Sequence, residues 1–541
     1  MNSTQSKLVF GLLVCLLAAP LAATNSQPAT LGETINVRVV NVEAVVTDRN
    51  GVRVPGLTAS DFRLVVDGRE VPIEYFSEIL GGDVVDREQD QQTAGGLVPG
   101  EPLGSSYLVF IDEFFTVAAD RRRVLRSLVH ELGFLGPSDR MAVVAWDGQH
   151  VEMLSSWSQS PRELTAVLQA AIARPSGGLR RLAELRSFEF DRGYLRPRRS
   201  LAGFDRQRLS VEERLYMSLL TSQLEGAVVA ASSTLRGFAQ PPGRKVMLML
   251  SGSWPEHPAQ YVVGDLQRLI VEYMSEGGQQ LYGQLTDTAN LLGYTLYPVD
   301  VAGLEGQSVV DASYSRTGFL SRNRQREREL QVHYGLEHIA AKTGGVALLN
   351  GQGNRPLESV YADTRSFYWI GFTPQRIGDD SRHDIRLEVA NGWKLRSRNG
   401  FVDYSTSSEV SMAVESALLF GNPSIGQEID VRLGPARRAG FGKVEVPLTI
   451  TLPMAALTLL ENGDEWVGQL ELRVAVMDEN GNRAEIPVIP IEIRRSEAPV
   501  ADENFSYQTT LKMRSRNHEM VVALYDGTSG EIFATGATFI R

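Results

Sequence analysis

Apolar and polar positions alternate with two different periods along this chain, and the change of period divides it. In Ser106-Tyr-Leu-Val-Phe-Ile-Asp112 the apolar run 107–111 is unbroken and is stopped by an acid. Such a run predicts a strand buried on both faces, with the acid at its carboxyl end. Val124, Leu125, Leu128, Val129, Leu132 and Leu135 then recur at helical spacing and predict a helix over 117–135. Further apolar strands are expected at 141–146, 151–157, 245–251 and 294–300. Helices are expected at 161–172, 211–238, 275–292, 330–343 and 357–364. Buried strands alternating with helices predict an α/β unit over 105–375, a doubly wound and mostly parallel sheet. The pattern breaks over about 174–210, where clusters such as Arg196-Pro-Arg-Arg199 read as a solvated insertion.

Outside this unit the period is two. Ile35, Val37 and Val39, then Val42, Ala44 and Val46, alternate with polar residues, and Asp48-Arg-Asn-Gly51 is a turn signal. A small β unit is therefore expected at 34–80, followed by a polar, glycine-containing linker at 81–104. Ile385, Leu387 and Val389 with the turn Asn391-Gly392 predict a β-hairpin over 376–405. From 412 to 541 almost every apolar segment alternates, which predicts a C-terminal β-sandwich.

Composition narrows the possibilities. A length of 541 residues at roughly 150 per domain suggests about three or four domains. The net charge of -11 argues against nucleic-acid binding. Lys7, an apolar run over 8–17 and small residues to Ala23 predict a signal peptide over 1–23, hence a periplasmic or secreted protein. No later run is long enough to span a membrane. Cys15 is the only cysteine, so cleavage after Ala23 leaves no thiolate for disulfides, metal binding or catalysis.

Several stretches together resemble one family. Leu57-Thr-Ala-Ser-Asp-Phe62 with Asp67-Gly68, the strand ending at Asp112, the stretch 244–252, Ala340-Ala-Lys-Thr-Gly-Gly345, the stretch 367–373 and Arg396-Ser-Arg-Asn-Gly-Phe401 are similar, in order and spacing, to the VWFA-related family typical of Acidobacteria. The likeness covers about 35–404. It implies a von Willebrand factor type A fold, Rossmann-like, flanked by the two β regions. It also implies a magnesium-type site built from an Asp-x-Ser-x-Ser run, a loop threonine and an aspartate after a later strand. Here Asp112 matches the first ligand and Thr116 can replace the second serine. Phe114 stands at the first serine and Ser251 at the later aspartate. Ser218 and Thr221 are the candidates for the loop threonine. Losing a hydroxyl and a carboxylate weakens a hard-cation site severely, so no metal or other cofactor is expected.

The function expected is an exported, non-enzymatic protein-interaction or adhesion module. Its partner, a protein, would bind at Asp112, Glu113, Thr116, Ser251 and Trp254. One alternative is metal-dependent adhesion through Asp112, Thr116 and a substitute carboxylate, Glu113 or Asp300. A second is a hydrolase using these strand-end acids as acid and base. His333 and His338 read as a surface pair on a helix, Gly351-Gln-Gly-Asn-Arg-Pro356 as a turn, and Asp478-Glu-Asn-Gly-Asn482 as a hairpin turn.

Overall fold

The computed structural model describes residues 39–85, 100–194, 210–239, 243–263, 277–302, 322–374, 377–420, 425–479, 483–498, 500 and 503–540. The expected signal peptide, most of the 81–104 linker and residues 195–209 of the expected insertion lie outside them. Among the described residues no helix is long and apolar enough to cross a membrane.

The architecture is mixed α/β with several distinct sheets. The sheet carrying Asp112 runs in the order Tyr294–Asp300, Arg244–Ser251, Ser105–Asp112, Arg140–Trp146, Val151–Ser158. The first four strands are parallel and the last is antiparallel. Residues 147–150 are too few for a crossover, so the chain can only turn back on itself there. All eight residues of Ser105–Asp112 are buried because helices cover both faces. Tyr107, Val109 and Ile111 meet Val124, Leu128, Leu164 and Val360 on one side. Leu108 and Phe110 meet Leu224, Leu285 and Leu336 on the other. Each fully buried side chain of this kind contributes about 1.5–3 kcal/mol. Ser160 and Ser210 cap two of the helices, each accepting from the backbone N–H three residues on. The helix Gly278–Leu292 ends at Gly293, whose φ of 72° suits glycine.

The β regions on either side of this unit form one body. Val40–Thr47 pairs with Phe367–Phe372, setting Val42 opposite Ile370, and on its other edge with Lys394–Arg396. Tyr75–Leu80 flanks Phe367–Phe372 on the far side, and Phe62–Val66 pairs with Ser381–Val389 in a second sheet. Their shared core contains Val42, Leu64, Ile370, Phe372, Leu387 and Phe401. Phe367–Phe372, placed by its sequence in the α/β unit, is instead the middle strand of this β unit, because a strand covered on both faces looks the same in either setting. The segments 34–80 and 376–405 are correspondingly two halves of one structure. The ends of the 81–104 stretch are also tied down, since Asp83–Val84 pairs with the end of Tyr75–Leu80 and Asp83 bridges to Pro102.

The C-terminal region opens with a helix, Thr406–Phe420, where alternating strands were expected from 412. Val410, Val414, Ala417 and Leu418 are its buried stripe, at helical spacing. They share a core with the helix Val211–Gly237 and with Ala475 and Val521 of the sheets beyond. Those sheets are sandwich-like. Lys443–Pro453 lies along Asn504–Arg514, and Glu465–Asp478 along His518–Asp526. Leu448, Ile450, Leu472, Val474 and Leu524 pack between them.

Candidate functional site

Strand order places the Asp112 tip in the middle of the sheet, where the loops 113–117 and 252–257 diverge to opposite sides. The Asp112 carboxylate closes the first loop itself. Its Oδ1 accepts from the backbone N–H of Phe114 (3.0 Å) and of Phe115 (2.9 Å). Its Oδ2 accepts from Trp254 Nε1 (2.8 Å), reaching over from the second loop. Thr116 Oγ1 donates to the Asp112 carbonyl. No solvent reaches this carboxylate. Burial raises its pKa to about 7; the bonds from Phe115, Trp254 and Phe114 act against the rise, and the Glu113 charge adds to it. Trp254 is also fully buried, and it stacks on Tyr282 at 5.8 Å.

Glu113 is satisfied differently. Its carboxylate is held by Arg174 (2.8 and 3.2 Å) and by Arg121 (3.3 Å), and Arg121 is completely buried. The two arginines fasten the loop 174–178 to the strand end, with Arg121 Nη1 donating to the Pro175 carbonyl at 2.9 Å. Gly177 N–H donates to the Glu113 carbonyl at 2.7 Å and Gly178 N–H to the Thr116 carbonyl at 3.1 Å. A Cβ on Gly178 would lie 2.3 Å from that same oxygen, so only glycine allows the approach. This loop also carries Ser176, whose hydroxyl donates to the Thr116 carbonyl. Ser218 and Thr221 lie instead within the helix Val211–Gly237.

Phe114 belongs to an aromatic cluster. Its ring centroid is 4.9 Å from that of Phe115 and 5.5 Å from that of Trp146, and the Arg181 guanidinium lies 5.5 Å from Phe114 and 5.4 Å from Phe115. Ser251 is buried and its Oγ has no hydrogen-bond partner among the described residues. Asp300 ends the strand beyond Ser251, so its backbone is two strand spacings from Asp112, roughly 10 Å. It faces His333 Nε2 at 3.3 Å and raises the pKa of that histidine.

The structure thus gathers Asp112, Glu113, Thr116, Ser251 and Trp254, and buries all five. Of the alternative ligand set, the Asp112 carboxylate and the Thr116 hydroxyl are hydrogen-bonded within the fold, and Asp300 Oδ2 faces His333. What opens outward is a cavity of about 140 Å³, with Thr116, Asp120, Arg123, Arg181, Tyr216 and Ser253 in its wall. Arg123 Nη2 donates to the Val301 carbonyl at 2.9 Å and its Nη1 lies 3.3 Å from Asp120, while Arg181 Nη1 pairs with Glu184 and its Nε has no partner among the described residues. Asp112 and Glu113 do not line this cavity. Arg121, Arg174 and Arg181 were missed from the sequence, two of them because they fall in a stretch read as solvated.

Elsewhere, Asp379, His383 and Asp403 bring potential metal-binding atoms within 4.8 Å of one another. Internal bonds engage all three, since Asp403 accepts from Ile377 and Gly378 N–H, His383 Nδ1 bonds Asp67 at 2.7 Å and Asp379 Oδ1 accepts from Ser381 N–H at 2.9 Å. His338 is partly buried and bonds Glu256 at 3.3 Å, so with His333 it forms two histidine–acid contacts rather than a free surface pair.

No family model matches the chain, and no curated protein matches it. Solved structures with partial likeness include a protein from Archaeoglobus fulgidus, with 10% identity over 21% of this chain and 97% of that one at a TM-score of 0.14. A Bacteroides uniformis beta-glucuronidase has 8% identity over 33% of this chain and 19% of its own, at 0.16. A glycosyl hydrolase family 2 member from Bacteroides cellulosilyticus has 9% over 32% and 20%, also at 0.16. The chain spans about a fifth of the two hydrolases, and at such scores these likenesses bear on neither its fold nor its activity.

Proposed function

We propose that the chain is an exported, non-enzymatic interaction module. In this reading a von Willebrand type A, Rossmann-like domain docks a partner protein at its strand-end face without a metal ion. The observation carrying this is that Asp112 has spent both oxygens inside the fold, while Arg181 and Arg123 line the cavity beside it. Where a metal-dependent relative would offer a cation to a partner's carboxylate, this face offers the guanidinium groups of Arg123 and Arg181, each already paired with one acid of its own helix, Asp120 and Glu184. An acidic side chain of the partner is the group that fits them. The order of the strands, the antiparallel edge and the acid at the central tip support the type A assignment. The hydrolase reading draws less support, because Asp112 and Glu113 are buried and do not line the cavity.

The test is affinity capture from an envelope extract with the wild-type chain and with an Arg123→Glu/Arg181→Glu variant. A protein retained by the first and lost by the second supports the proposal, and identical retention overturns it. Calorimetry with magnesium, manganese and calcium should give no heat at millimolar metal. Saturable heat abolished by Asp112→Asn would favour metal-dependent adhesion instead.

A further inference from the structure

A second cavity, of about 330 Å³, lies between the β unit and the α/β unit. The strand Val40–Thr47 shows why it is polar. Val42, Ala44 and Val46 enter the β unit's own core, so the alternate residues Asn41 and Glu43 point the other way, toward the α/β unit. Trp369 sits directly across from Glu43 on the neighbouring strand and shares that face. From the opposite wall come Lys245 and the C-terminal end of the helix Gly278–Leu292, with Asn290.

Three polar atoms in this wall are buried without a partner among the described residues: Asn41 Oδ1, Asn290 Oδ1 and Trp369 Nε1. The Asn290 amide is oriented by its own Nδ2, which donates to the Lys342 carbonyl at 3.2 Å, so its oxygen is the free end. Asn290 is only 3% exposed. Beside them stands Arg398, 6% exposed, whose guanidinium makes one hydrogen bond among the described residues, from Nη1 to the Asn290 carbonyl at 2.6 Å. Among the described residues no carboxylate lies within ion-pairing distance of it, and Glu43 acts on it only at longer range. Glu43 lines the same cavity, but its Oε2 is taken by Arg244 and Thr295, each at 2.9 Å. The helix C-terminus offsets part of the Arg398 charge. Water could bridge the three neutral atoms, but it supplies no counter-charge to a buried guanidinium.

We propose that this cavity binds a small zwitterion of the α-amino-acid type. Its carboxylate lies against Arg398 and the Trp369 N–H. Its ammonium lies between the amide oxygens of Asn41 and Asn290, on the face that carries Glu43. The ligand thus supplies the missing anion, the missing acceptor and the missing donors together, and it touches both units at their seam.

The test uses the purified full chain and a panel of the common α-amino acids, with acetate, methylammonium and inorganic phosphate as partial probes, read by calorimetry and thermal shift. At least one amino acid should bind saturably and raise the Tm, with acetate and methylammonium each at least about tenfold weaker. Trp369→Phe keeps the ring and removes only the N–H, and should weaken binding about tenfold. Arg398→Gln should abolish it. If Arg398→Gln fails to fold, the Trp369→Phe result decides. No saturable binding by any amino acid at millimolar concentration overturns the proposal. So does equal affinity in Trp369→Phe, or phosphate binding more tightly than every amino acid. A crystal soaked with the panel that shows only waters at the three atoms overturns it as well.

Discussion

Asp112 and Arg398 are both buried charge-bearing groups without an ion-pair partner, and the fold treats them in opposite ways. The acid is enclosed by three neutral donors, and its pKa rises to about 7, so it can shed its charge near neutrality. The guanidinium has one neutral acceptor, and burial lowers its pKa only to about 10, so it stays charged. Glu113, next in sequence to Asp112, shows the third solution: two arginines and a full ion pair. A carboxylate can therefore be made self-sufficient by backbone and indole N–H groups, whereas a guanidinium must find an anion or leave room for one. That contrast separates the strand end, which is closed, from the seam cavity, which is not.

The comparison breaks most severely at Glu113. Glu113→Ala leaves Arg121 buried without a counter-charge and should cost about 3–5 kcal/mol in urea unfolding; a cost below about 1 kcal/mol means that the ion pair does not hold the loop 174–178. The pH dependence comes next. Asp112 titrates near 3.8 when unfolded and about 7 when folded, so between those values the native state keeps a proton the unfolded chain has lost. Stability should accordingly fall as pH rises from about 4 to 7 and level off above. At about 1.4 kcal/mol for each pH unit across that window, the change is on the order of 4 kcal/mol as an upper bound. Asp112→Asn should remove that part of the slope, and an unchanged slope excludes the perturbed acid. Trp254→Phe deletes one of the three donors and should cost about 1–2 kcal/mol by chemical denaturation. Ser251→Ala removes a hydroxyl that has no partner and should be neutral or stabilising by up to about 1 kcal/mol in the same assay; a clear loss would mean that the hydroxyl is bonded after all.

The central layer was legible because burial on both faces leaves a run with no polar residue, and 107–111 is such a run. The helix Thr406–Phe420 was also legible in principle, since Val410, Val414, Ala417 and Leu418 carry its period, but the alternating stretches after it dominated the reading. Pairing was not legible. Nothing local to Val42 says that Ile370 lies opposite, because the register is set by a core assembled from distant segments. At the site, Asp112 could be found as an acid ending an apolar run, but its enclosure could not, since the three donors are two backbone groups and an indole from another loop. The roles of Arg174 and Arg181 were hidden for a related reason. A charge-rich stretch reads as solvated unless the buried acid or ring it meets is known.

Because Val40–Thr47 finds its strand neighbours at Phe367–Phe372 and Lys394–Arg396, synthesis leaves the first sheet waiting for some three hundred residues of later chain. During that interval an apolar strand with free edges is on offer to any other chain nearby. Closing that long loop is an entropic burden carried before the two halves reward it, which points to slow, late completion of the β unit. A nascent chain stalled before residue 367 would hold its layered helices and sheet in place beside an unfinished ribbon, the natural target for a chaperone or a protease.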